Sequence, residues 1–153
     1  MIDHPLGEHI GFMLRRAQLV VFQDFQRRTA GLDLTPAAYS VLVIVDRQPG
    51  IRQNRLTEML AIKPANCVTL INGMEKQSLL VREKVRVSGR AVALNLTDQG
   101  RALLAEANRK VGEHLTAMRE RLGNEDAVQL LQLLHKLVGS GGDALGDGLP
   151  QDL

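Results

Sequence analysis

Between residues 52 and 90 the chain carries two groups of side chains suited to one kind of chemistry, the recognition of a charged double helix. The first is a run of small or hydrogen-bonding residues, Ala65, Asn66, Thr69, Asn72 and Gly73, at helical spacing opposite Cys67, Leu70, Ile71 and Met74. Small residues let a helix backbone approach base edges; Asn pairs with adenine through two hydrogen bonds, and Thr donates, accepts or touches the thymine methyl. The second group is cationic. Arg86 and Arg90 stand around a Ser-Gly pair in "REKVRVSGR", and arginine favours narrow, electronegative minor grooves. Arg82 and Lys84 lie nearer the strand base, where phosphate contact and plain solvation are both open. Arg52 and Arg55 can meet the backbone from the start of the preceding helix.

The charge distribution agrees with this reading. Of 153 residues the formal net charge is only +2, yet residues 51–90 hold eight Lys/Arg against three acids, a net of +5. A basic middle between acidic flanks implies a localised anionic partner.

Other chemistry finds little support. Ser-His-Asp and Gly-rich phosphate motifs are missing, so no catalytic residue is assigned and an enzyme is not expected. The four histidines, His4, His9, His114 and His135, are scattered at spacings that announce no zinc site, so neither a metal nor a cofactor is expected. The single cysteine, Cys67, excludes an intramolecular disulfide and falls on the core side of its helix, where free Cys acts as a small hydrophobe. An oxidant sensor acting through Cys67 is the alternative. No stretch approaches the roughly 18 apolar residues needed to span a bilayer, and Met1-Ile2-Asp3-His4-Pro5 lacks a signal pattern, so the expected location is the cytoplasm, with no membrane partner.

The elements that must position these side chains are mostly helical. Apolar residues from Ile10 to Phe25 at helical spacing predict a first helix from Gly7 to about Ala30, ended by Gly31; Thr35-Pro36 then caps and starts a second helix that stops near Gln48-Pro49-Gly50. Two short helices, Gln53 to Leu60 and Pro64 to Gln77, have the spacing of a helix-turn-helix. A two-stranded hairpin follows, with Val92, Leu94 and Leu96 on one face. Thr97 caps a long fifth helix, and a sixth begins at about Glu125 with leucines on more than one face. Helices one, five and six thus carry more apolar surface than a small winged domain uses, which points to a partner subunit. The expected class is mainly α with a small β-hairpin wing: a winged helix-turn-helix over 35–96, a helical dimerisation region over 7–30 and 97–138, and a Gly/Asp-rich tail over 139–153 that reads as disordered.

The order of these parts, with "LTPAAYSVL", "NRLTEMLAIKPANCVTLINGMEKQSLL" and "VREKVRVSGRAVALNLTDQG", resembles the MarR family of transcriptional regulators over about residues 7–138. Its most specific portion is the wing followed by Leu-Thr-x-x-Gly. The resemblance implies a homodimer on double-stranded DNA with a palindromic operator, a repressor released by a small, often aromatic, acid or thioester. Arg15 and Arg16, beside Phe12 and Met13, are candidates to hold such an effector's anionic group, with Tyr39 as a further candidate ligand residue; salt bridges account for the two arginines nearly as well. Three positions depart from the family pattern. Ser88 replaces an acid in the wing, which removes an intramolecular partner for nearby arginines. Lys63 replaces a capping Ser and adds charge near phosphate, and Ser78 replaces a turn Gly. A different class of function, a winged module for protein assembly on an acidic surface, also accommodates the basic patch.

Overall fold

A computed structural model describes residues 5–84 and 92–139. Six helices and three short strands follow in the order α1 (Ile10–Arg28), α2 (Pro36–Arg47), β1 (Ile51–Arg52), α3 (Gln53–Leu60), α4 (Pro64–Lys76), β2 (Leu80–Lys84), β3 (Val92–Leu96), α5 (Asp98–Leu122) and α6 (Asn124–Val138). The mainly helical winged class is therefore observed. Arg86, Ser88 and Arg90 at the wing tip, and the tail from residue 140, lie outside the described residues.

Local signals set most boundaries. Thr35 caps α2 by accepting from the Ala38 backbone N–H at 3.1 Å, with Pro36 at the first turn, where its missing N–H costs nothing. Thr97 caps α5 in the same way through the Gly100 N–H at 2.9 Å. Helix α1 ends earlier than Gly31 suggests: Thr29 folds its hydroxyl back onto the Phe25 carbonyl at 2.9 Å and closes the helix there.

The hairpin expected from sequence is a three-stranded antiparallel sheet of order β1-β3-β2. The added strand pairs Ile51 with Leu94 and Arg52 with Ala93. Two residues carry no readable alternation, so this strand is visible only once β3 is there to receive it.

One aliphatic core unites α2, α3, α4, the sheet and the first half of α5. Val41, Leu42, Leu56, Cys67, Ile71 and Leu94 are fully buried in it. Each such Leu or Ile contributes about 1.5–3 kcal/mol through removal from water. This packing makes the helix-turn-helix a rigid platform. The other end of the molecule is different: α1, the distal part of α5 and α6 leave Ile10, Leu19, Leu115, Leu133, Leu137 and Val138 more than half exposed.

Candidate nucleic-acid interface

The turn between α3 and α4 is made by Ala61, which adopts a left-handed conformation (φ +53°) and donates to the Glu58 carbonyl at 3.1 Å. Ile62 and Lys63 complete it. Lys63 is the N-cap position of α4 and makes no side-chain cap, which leaves its ammonium at the helix start; Pro64 takes the first turn. Leu56 from α3 and Cys67, Ile71 and Met74 from α4 seal the inner side. Cys67 is fully buried among them, as its spacing indicated.

The outer side of α4 is now defined by geometry. At 100° per residue, Ala65, Val68, Thr69 and Asn72 form one stripe at i, i+3, i+4 and i+7, directly opposite the buried stripe of Cys67, Leu70, Ile71 and Met74. All four outer residues are exposed. Asn66 and Gly73 are exposed too but lie on the flank of this stripe, and Lys76 closes it at the C-terminal end. Val68 and Lys76 escaped the sequence reading, although the period that placed Asn72 on the outer face places them there as well. The Thr69 hydroxyl donates to the Ala65 carbonyl at 3.1 Å, so its hydrogen is already engaged with the helix backbone.

The cations divide into paired and unpaired sets. Arg82, half-buried at the wing root, pairs with Glu75 of α4 and donates to Gln53 Oε1 of α3 at 3.3 Å, so it joins three elements and is not simply solvated. Arg55 forms an exposed pair with Glu58 at 2.9 Å, one turn apart. Arg52, Lys63, Lys76 and Lys84 make no ion pair among the described residues and remain available to phosphates.

The join between the recognition helix and the wing explains the Leu-Thr-x-x-Gly signature. Ser78 takes φ +58°, so the left-handed turn forms without glycine; its N–H donates to the Glu75 carbonyl at 2.9 Å, and the Leu79 N–H to the Met74 carbonyl at 2.9 Å. Thr97 donates its hydroxyl to the Ser78 carbonyl while capping α5. Gly100 faces the Leu79 carbonyl so closely that a Cβ would stand 2.2 Å from its oxygen. Only glycine lets α5 start against the wing root.

The candidate effector residues are less concentrated. Arg16 stacks over the Phe12 ring, its Cζ 5.8 Å from the centroid, while Met13 and Arg15 are exposed beside them. Tyr39 sits elsewhere: its ring packs on Phe25 and its hydroxyl donates to Asn108 Oδ1 at 3.0 Å. Phe12 and Phe25 are separated by roughly 20 Å along α1, at 1.5 Å per residue. Within one chain, therefore, Tyr39 is not joined to the Phe12 group. Two clefts, one at the wing root and one on the surface of α1 and α5, have other linings. One of about 550 Å³ is walled by Leu32, Leu79, Ala102 and Leu103 with Asp33 and Glu106 among its polar lining residues, and one of about 230 Å³ is walled by Val20, Arg27, Met118 and Arg121.

Sequence reasoning also missed a buried polar cluster. Asp24 of α1 lies 2.7 Å from His114 Nδ1 of α5, 2.8 Å from Arg28 Nε, and pairs with Arg27. The His114 hydrogen bond holds the Asp24 carboxyl far below the usual carboxylate range; Arg28 and Arg27 add to this against the opposing effect of burial. An ionised carboxylate only accepts, so Nδ1 of His114 carries the hydrogen. The His114 and Phe25 rings also stand nearly perpendicular, at 85°, with centroids 5.9 Å apart.

Comparison with known proteins places this geometry. The model of the MarR family matches residues 32–91, from the start of α2 into the wing. A transcriptional repressor, CouR, solved on a 23-mer DNA duplex, is 36% identical over 90% of this chain and 99% of its own, with a TM-score of 0.84. The chain belongs to the MarR family. CouR solved with p-coumaroyl-CoA gives the same identity and TM-score over 92% of this chain and 100% of that one. A protein of Thauera aromatica assigned to regulation of the hcr operon is 27% identical over 138 residues, 90% of this chain and 83% of its own length. This MarR-family chain is a DNA-binding transcriptional regulator, and its relatives are regulators, not enzymes. No described helix is long and apolar enough to cross a membrane.

Proposed function

We propose that this regulator is a homodimeric repressor that holds a palindromic operator in the cytoplasm and releases it when a small aromatic acid or its thioester binds. The observation that carries the reading is the pairing of an outward stripe on α4 free of acids with a broad exposed apolar surface on α1 and α6 at the opposite end. One surface suits base edges, and the other suits a second copy of the chain. In this reading residues 7–30 and 97–138 form the dimerisation region and 35–96 the DNA-binding unit. Ala65, Asn66, Thr69 and Asn72 meet bases. Arg52, Lys63 and Lys84 meet phosphates, joined by Arg55 when it leaves Glu58. Arg86 and Arg90 reach the neighbouring minor groove from the wing tip.

Repression and release draw support from CouR, a repressor solved both on DNA and with p-coumaroyl-CoA. Arg15 and Arg16 beside Phe12 and Met13 suit the anionic and flat parts of such a molecule, and a second chain is what can bring Tyr39 near them. The decisive experiment selects duplexes from a random pool and measures anisotropy with and without p-coumaroyl-CoA, alongside the mass in solution. The reading expects a dimer, an inverted repeat with half-sites about 34–36 Å apart, and weaker binding when the thioester is added. A monomeric protein, or equal binding to selected and scrambled duplexes at physiological salt, overturns it.

A further inference from the structure

The outer stripe of α4 is unusual in what occupies its centre. Ala65, Val68 and Thr69 present three methyl-bearing side chains at i, i+3 and i+4, and Val68 keeps 38% of its surface exposed; the charged residues of the helix, Glu75 and Lys76, fall in its last turn, where Glu75 is held by Arg82. β-Branched residues lose rotamer freedom in a helix, so two adjacent ones on an exposed face add nothing to helix stability. Thr69 has committed its hydroxyl hydrogen to the Ala65 carbonyl, which leaves only acceptor lone pairs and a methyl for any partner. Asn72, one turn on, supplies an amide able to donate and accept at once. Cations stand only at the ends, Lys63 and Lys76, where a groove's phosphates run.

In the major groove only thymine offers a methyl group, and the adenine paired with it offers the acceptor and donor that an amide matches. We infer that Val68 is a specificity-determining residue that reads the 5-methyl group of thymine, within an apolar patch completed by Ala65 and Thr69, so that the half-site under α4 contains A·T pairs. The inference rests on the DNA-binding reading above and adds the identity of the group recognised.

The test uses the full chain and a duplex selected from a random pool. Each thymine of one half-site is replaced in turn by deoxyuridine, which removes the methyl and keeps the pairing. At one or two positions the wild-type protein is expected to lose about fourfold in affinity, the effect of uncovering one buried methyl. Val68→Ala is expected to bind the thymine duplex about as weakly as the wild type binds the uracil one, and to be indifferent to the replacement. Val68 is exposed, so the variant keeps the fold, which a circular dichroism melt checks. Specific binding with no uracil-sensitive position, or uracil sensitivity that persists unchanged in Val68→Ala, overturns the assignment while leaving the regulator intact. Failure of the pool to yield any preferred sequence overturns both.

Discussion

The Arg82 guanidinium at the root of the wing pairs with Glu75 near the end of the recognition helix, and also reaches Gln53 at the start of α3. Its charge is spent on holding β2 against α4 and α3. Sequence left phosphate contact and solvation open for Arg82; from the three-way junction we propose that it acts as a positioning residue.

Arg82→Ala should therefore weaken operator binding by up to about fivefold, the range for a half-exposed pair, without changing the salt dependence. Lys84→Ala, which removes an unpaired cation, should lower the slope of log K against log salt by about 0.9. Anisotropy titrations at several salt concentrations separate the two; an equal change of slope in both variants contradicts the positioning role.

On the recognition helix, Asn72 lies one turn beyond Thr69 on the outward stripe, and Lys63 stands at the N-cap. Asn72→Ala should cost about 1–3 kcal/mol against the preferred base pair at one operator position and little on a duplex altered there. Lys63→Ala should weaken all duplexes about equally. A position-by-position mutant panel of the operator reads the difference.

The buried Asp24–His114 contact ties α1 to α5. Because the folded Asp24 titrates below its unfolded value, its contribution to stability is complete above about pH 4 and is lost as pH falls through the depressed folded value. Asp24→Asn should cost about 1–3 kcal/mol at pH 7, since it removes the charge that three donors share. Urea denaturation at pH 7 and below pH 4 should show a smaller acid loss in the variant than in the wild type.

Gly100 allows α5 to begin against the Leu79 carbonyl. Gly100→Ala must push backbone from backbone, which predicts a loss of about 1–3 kcal/mol and a lower melting temperature. Gly112→Ala, at an open position on the same helix, should be neutral or slightly stabilising.

Local information in the chain determined much of this protein. Thr35-Pro36 and Thr97 start helices because a side-chain oxygen meets an N–H three residues on, and the helical period alone separates Cys67, Ile71 and Met74 from Asn72. Such interactions span a few residues, so they can be read before folding. The tertiary structure decided the rest, because it depends on partners far apart in sequence. Ile51 becomes a strand only through Leu94, and Asp24 finds His114 ninety residues away. Arg82 meets Glu75 and Gln53 only when α3, α4 and β2 converge on it. Periodicity assigns a residue to a face; packing alone decides what that face meets.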